Sequence, residues 1–174
     1  LERAAESYLL KGKRLAEIDE FIDTDNVFVP RKTDKLRELL GIPDNNKVIL
    51  NVAPSNDPRK GVAFYMKVAE LCKKEDITFI HVGYQGDADN VPENFIPISF
   101  VKDQVLLAEY YSLADLFVCT SLADTMPNVC LDAMACGTPV AGFDITGVPY
   151  VAEKPIGTFV KAKDVQALIE VCLN

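Results

Sequence analysis

The stretch DLFVCTSLADTMPNVCLDAMACGTPVAGFD, residues 115–144, contains a whole strand–helix–strand unit. It opens on an apolar run, 115–121, and breaks at the polar loop LADTM. Pro127 then suits the first turn of a helix, with Thr125 or Met126 before it as the cap. The helix, NVCLDAMAC, stops at Gly137, where a left-handed cap is favoured. TPVAGFD, 138–144, follows as a second strand.

The same alternation extends outward in both directions. VILNVA, 48–53, is a continuous apolar run of the kind that marks a strand buried on both faces. Residues 61–74 have helical spacing, with Val62, Tyr65, Met66, Ala69 and Cys72 on one face. ITFIHVG, 77–83, and IPISFV, 96–101, read as further strands separated by a loop rich in Gly, Pro and Asp. Asp103 is placed to cap the helix that follows. Downstream, VPYVAE forms a short turn, GTFVKA a last strand, and a final helix begins near Asp164. Upstream, a helix over 34–40 ends at Gly41, with Pro43 beyond it. Strands alternating with helices give an α/β fold, a doubly wound parallel sheet covered on both faces. Ligands of such sheets bind outside the carboxyl ends of the strands, which directs attention to the loops after Ala53, Val82, Phe100, Ser121 and Asp144.

The composition is that of a globular domain: 174 residues, 49% of them hydrophobic and 25% charged. No apolar run approaches the roughly 20 residues that span a bilayer, and no secretory signal is visible. LERAAESYLLKGKRL at the start reads as a helix entered partway through, and DVQALIEVCLN at the end as one cut short. The chain is therefore expected to be a piece of a longer protein. A net charge of −8 argues against non-specific binding of nucleic acid. The five cysteines are odd in number, form no CxxC pair and sit in apolar stretches, as reduced core thiols do. His81, inside ITFIHVG, has no partners at metal-ligand spacing and reads as a strand residue rather than a ligand.

Three loops carry the chemistry. In PSNDPRKG, Arg59 and Lys60 fall where the chain enters a helix, whose unpaired amides attract an anion. Gly61 leaves the backbone free to approach a diphosphate, which favours Lys60 as its cation; the plain alternative is a solvated basic pair at a turn. No Walker A loop is present. In DTMPNVCLDAMACG, Asp124 precedes the helix, and the amides of Met126, Asn128 and Val129 are free to meet phosphate or sugar oxygens. Asn128 and Asp132 share one helix face. Asp132 lies among apolar residues, a costly place for an unpaired carboxylate unless it accepts hydrogen bonds, for instance from a ribose diol. A solvent-facing or internally paired acid is the alternative. The third loop, DITGVP, is a tight turn with a hydroxyl at Thr146, and by itself reads as an isolated turn.

These loops, in this order and spacing, resemble the C-terminal domain of family 4 retaining glycosyltransferases of the GT-B fold. FIDTDNVFVP (21–30) resembles the family's segment leading into the domain, NGIDTDxFxP. RELLGIPDNNKVILNVA followed by DPRKG resembles its first strand and phosphate loop. DTMPNVCLDAMACGTPVAGFD is similar to its signature, two acids separated by seven residues and followed by EAMACGTPV. The resemblance covers nearly the whole chain. It implies a single Rossmann-like domain, with about residues 1–45 leading into a core at 46–174, and an N-terminal acceptor domain absent from this chain.

The resemblance also implies roles. Lys60 would neutralise the donor diphosphate, with Arg59 and Gly61 beside it. Asp124 would contact the transferred sugar. Thr125, Met126, Pro127 and Asn128 would hold sugar and phosphate oxygens through their backbone. Asp132 would bind the ribose hydroxyls, and Phe100 and Val101 would lie against the base. The implied reaction moves a sugar from a nucleotide-diphosphate sugar to an acceptor hydroxyl with retention, without a metal or other cofactor. The acceptor would be a sugar or lipid-linked sugar held by the other domain, and this chain alone would transfer little. Polysaccharide or glycolipid synthesis is the family's usual setting, implying a cytoplasmic enzyme that touches the membrane surface only through its other half. The chain departs from the pattern at four points: Asp132 replaces Glu, Pro54 an Arg, Thr146-Gly147 a Gly-Gly pair, and Tyr150 an acid. Two alternatives stay open, a degenerate module that binds nucleotide sugars without catalysis, and another GT-B enzyme such as a nucleotide-sugar epimerase.

Overall fold

The computed structural model describes residues 5–16, 21–152 and 156–174. Six strands form the sheet: β1 (Lys47–Val52), β2 (Ile77–Val82), β3 (Phe95–Ile98), β4 (Leu116–Cys119), β5 (Val140–Asp144) and β6 (Gly157–Lys161). The α-helices described beside them are α1 (Asp34–Leu39), α2 (Val62–Leu71), α3 (Gln104–Leu113), α4 (Asn128–Ala135) and α5 (Val165–Leu173). Every strand pair is parallel, and the spatial order is β3-β2-β1-β4-β5-β6. This is the expected doubly wound α/β architecture. From β1 the chain builds outward through β2 to β3, then returns to add β4 on the other flank of β1. The reversal opens a crevice above the carboxyl ends of β1 and β4, where such sheets bind ligands.

Two apolar layers hold the sheet. On one face Val48, Leu50 and Phe117 pack against Leu36 of α1, Tyr111 of α3 and Ala133 of α4. On the other, Ile49, Phe79 and Phe143 meet Tyr65 and Val68 of α2 and Leu168 of α5. Two aspartates cap helices, Asp103 as the sequence predicts. Asp103 accepts from the amides of Val105 (2.8 Å) and Leu106 (3.3 Å), and Asp164 from Ala167 (3.0 Å). Gly41, at φ 65°, terminates the chain segment after α1.

Three expectations are corrected. The third strand ends at Ile98 rather than near 101, because β2, its ladder partner, ends at Val82 and turns away at Gly83 (φ 99°). The fifth strand begins at Val140 rather than 138. Thr138 is held instead by its hydroxyl, which donates to the Tyr111 carbonyl at 2.6 Å. No side chain caps α4: Pro127 takes the cap position, and its carbonyl accepts from the Cys130 amide at 2.9 Å. The helix expected over the first fifteen residues falls partly on residues 1–4, outside the described ones; within 5–16 the chain forms the 3-10 turn Tyr8–Leu10. The turn VPYVAE is the 3-10 helix Val148–Val151, with residue 153 outside the described set.

Candidate functional site at the switch point

Asp57 organises the first loop. Its carboxylate accepts from the Arg59 amide and caps the 3-10 turn Pro58–Lys60. Gly61 then takes φ 66° and becomes the N-cap of α2. A Cβ at Gly61 would collide with the Thr120 carbonyl, so only glycine lets this loop lie against the end of β4. Two bonds fix that approach: the Leu122 amide donates to Arg59 O at 2.7 Å, and the Thr120 hydroxyl to Lys60 O at 3.0 Å.

The loop after β4 is joined to the loop after β5 in the same way. The Gly147 amide donates to Asp124 O at 2.8 Å, and the Asp124 amide donates to the Thr146 hydroxyl at 3.1 Å. A Cβ at Gly147 would run into the Thr125 carbonyl. Thr146 sits at φ 52°, a left-handed conformation that a β-branched residue seldom adopts. The third loop is therefore no isolated turn; it supports the backbone of Asp124.

The result is a direct pairing of two predicted residues. Lys60 Nζ lies 2.7 Å from Asp124 Oδ2, with the side chains 30% and 15% exposed. Arg59 turns the other way. Its guanidinium is exposed and bonded to Asp57 through Nε (3.1 Å) and a terminal nitrogen (2.8 Å). This leaves Lys60 to supply positive charge to the crevice.

A cavity of about 280 Å³ fills the crevice and is lined by Lys60, Pro54, Phe100, Val101 and Val129, among others. Phe100 and Val101 stand beyond the end of β3, and Phe100 is largely exposed. The amides of Asn128 and Val129 open α4 and, as first-turn amides, have no carbonyl a turn upstream to meet. Thr125 is exposed, Met126 half-buried and Pro127 buried. Asp132, one turn into α4, is half-buried, and burial raises its carboxyl pKa to about 6. Among the described residues no cation forms an ion pair with it.

Other groups complete the picture. All five cysteines are buried free thiols. Cys119 lines the cavity, and the neighbouring Cys130 thiol holds its pKa below the ordinary thiol value. His81 is fully buried, stacked on Phe95 at 6.1 Å, and burial lowers its pKa to about 4, offset slightly by the Ala53 backbone. Among the described residues no group of three or more His, Cys, Asp or Glu side chains is placed to hold a metal ion. No helix among them is long and apolar enough to cross a membrane. The sequence reading overlooked Asn51, a buried polar residue inside the apolar run of β1 that also lines the cavity. The one available signal was an amide side chain in a strand buried on both faces.

The sequence model of the family described as "Glycosyl transferases group 1" matches residues 46–174. The chain belongs to the group 1 glycosyl transferases. Among characterised relatives of this glycosyl transferase chain is the N-acetyl-alpha-D-glucosaminyl L-malate synthase of Bacillus anthracis, 23% identical over 149 residues, covering 82% of this chain and 39% of the relative. Among solved structures, HepE from Anabaena in complex with UDP superposes with a TM-score of 0.70 at 22% identity, covering 87% of this chain and 46% of that one. The C-terminal domain of a group 1 glycosyl transferase, LpcC, from Francisella tularensis gives 0.69 at 20% identity, covering 87% and 86%. These likenesses establish the fold, that of GT-B C-terminal domains. The chain spans 28–40% of the length of the curated relatives it matches.

Proposed function

We propose that this chain is the donor-binding half of a retaining glycosyltransferase that moves a sugar from a nucleotide-diphosphate sugar to an acceptor hydroxyl. The observation that carries the reading is the contact between Asp124 and Lys60, the cation that lines the switch-point cavity. A cation and an acid in contact there present opposite charges to the two ends of one ligand. The diphosphate takes Lys60 and the opening amides of α4, while the sugar's hydroxyls donate to Asp124. Asp132 receives the ribose hydroxyls, and Phe100 and Val101 face the base. In the reaction the bond between anomeric carbon and diphosphate oxygen breaks as the acceptor oxygen bonds the same carbon from the same face. The acceptor's proton passes to the leaving diphosphate. Lys60 and the helix amides stabilise the charge that develops there, and no metal is required of the site. The acceptor, a sugar or lipid-linked sugar, is held by a second, N-terminal domain, and this half alone transfers little. The free thiols support a reducing, cytoplasmic setting.

The test is calorimetric titration with UDP, GDP and ADP. One nucleotide is expected to bind saturably, and both Lys60→Ala and Asp132→Ala to weaken it by about tenfold or more, the loss of one charge-assisted hydrogen bond. Chelation by EDTA is expected to leave the affinity unchanged. Failure of every nucleotide to bind would overturn the reading for this chain. A non-catalytic binding module is the second reading, favoured by Pro54 in the cavity wall and by the engagement of Arg59 with Asp57. Activity of this domain joined to an intact acceptor domain decides between them.

A further inference from the structure

Asn51 is an anomaly in the middle of the sheet. Its strand is buried on both faces, and its neighbours Leu50 and Val52 are apolar, yet Asn51 itself is only 2% exposed. Its amide nitrogen Nδ2 crosses to β4 and donates to the Val118 carbonyl at 2.6 Å. That bond fixes which way the amide points, because the reverse orientation would set Oδ1 against the Val118 oxygen. Oδ1 is then left buried, and no group among the described residues donates to it. His81, its ladder partner in β2 and a side chain on the same face, makes no hydrogen bond to it. A buried acceptor without a donor destabilises a fold, and a purely structural role would be met as well by a smaller group bonded to Val118.

The residue that carries this acceptor borders the ligand crevice. Asn51 lines the switch-point cavity, whose wall carries Lys60, while the neighbouring wall residues Val52, Ala53 and Val82 are apolar. The cavity wall thus carries a cation for an anion and a residue whose neutral acceptor, buried in this structure, phosphate oxygens cannot satisfy. We propose that Asn51 is a specificity-determining residue, its Oδ1 accepting a hydrogen bond from a neutral N–H or O–H group of the nucleotide-sugar ligand. The inference rests on the donor-binding reading above and adds to it a residue that selects the neutral part of the ligand. The donor group belongs either to the nucleoside or to the sugar.

Calorimetry with three probes, UDP, UDP-glucose and inorganic pyrophosphate, tests this on the wild type, Asn51→Leu and Asn51→Thr, each checked for folding by thermal denaturation. Asn51→Leu removes both polar atoms on a side chain of the same branching and heavy-atom count, and Asn51→Thr restores a hydroxyl that can donate to Val118 and still accept. The expected result is a loss of about tenfold for Asn51→Leu, one hydrogen bond's worth, partly recovered in Asn51→Thr, with pyrophosphate affinity unaltered. A loss already present with UDP assigns the donor group to the nucleoside; a loss confined to UDP-glucose assigns it to the sugar. Unchanged nucleotide affinity in folded Asn51→Leu, or an equal loss for all three probes, would overturn the proposal while leaving the donor-binding reading intact. If GDP or ADP is the nucleotide that binds, it and its glucose ester take the place of UDP and UDP-glucose in the same comparison; wild-type protein that binds no nucleotide would overturn both.

Discussion

Asp132 shows two demands in conflict on one side chain. It sits on the apolar helix α4, half-buried and, among the described residues, without a paired cation, so its charged form is disfavoured and its pKa rises from the usual 3.8 to about 6. Between these values the folded chain holds a proton that the unfolded chain has lost, so stability falls as pH rises through this window. Asp132→Asn is therefore expected to raise stability by about 1–2 kcal/mol at pH 7.5, discounted for partial solvation, with the gain vanishing below about pH 4. Thermal denaturation across that pH range checks it, and a gain independent of pH would refute the electrostatic account. On the proposed function, the stabilised variant binds nucleotide more weakly. The acid was legible in the sequence because it interrupts an apolar helix face. Asn51 was not, because its partner Val118 lies 67 positions away, and only the sheet reveals that one of its polar atoms is satisfied and the other is not.

At the scale of elements, the site is held by backbone contacts between loops. Gly147 has no room for a side chain against Thr125, and its amide is bonded to Asp124. Gly147→Ala is expected to displace the Asp124 loop, costing about 2–4 kcal/mol of stability. It should also separate Asp124 from Lys60, which a crystal structure of the variant would show directly. Its stability can be measured by urea denaturation. A change under about 0.5 kcal/mol, the range of an ordinary surface substitution, would mean that the loop yields and the contact is incidental. The three loops were each visible in the sequence through Gly and Pro. Their mutual stitching was not, since no local pattern reports that the Thr146 hydroxyl meets the Asp124 amide 22 residues away. Strand ends were misplaced for a related reason. A strand stops where its neighbour stops, as β3 does at Ile98 opposite Val82.

For the whole molecule, burial of the thiols makes them reporters of opening. Four of the five are expected to react with a thiol reagent only on unfolding. Cys119 lines the cavity, and the nearby Cys130 thiol lowers its pKa, so it should react slowly in the native state. At pH 8, Ellman's reagent should therefore titrate one thiol in the folded protein and all five in denaturant. A saturating nucleotide should slow the first. Five fast-reacting thiols in buffer would contradict the burial.

The alternation of apolar strands with amphipathic helices, and with it the parallel sheet and the identity of the three loops, was determined by the sequence alone. Hydrophobic periodicity and Gly/Pro punctuation are local signals, and crossover connections leave few topologies to choose from. The tertiary structure decided what those loops do to one another. It paired Lys60 with Asp124, turned Arg59 toward Asp57, and set Asn51 in the cavity wall with an oxygen that has no partner among the described residues. Each of these depends on distances between residues far apart in the chain, and such distances are set by the packing of the whole sheet.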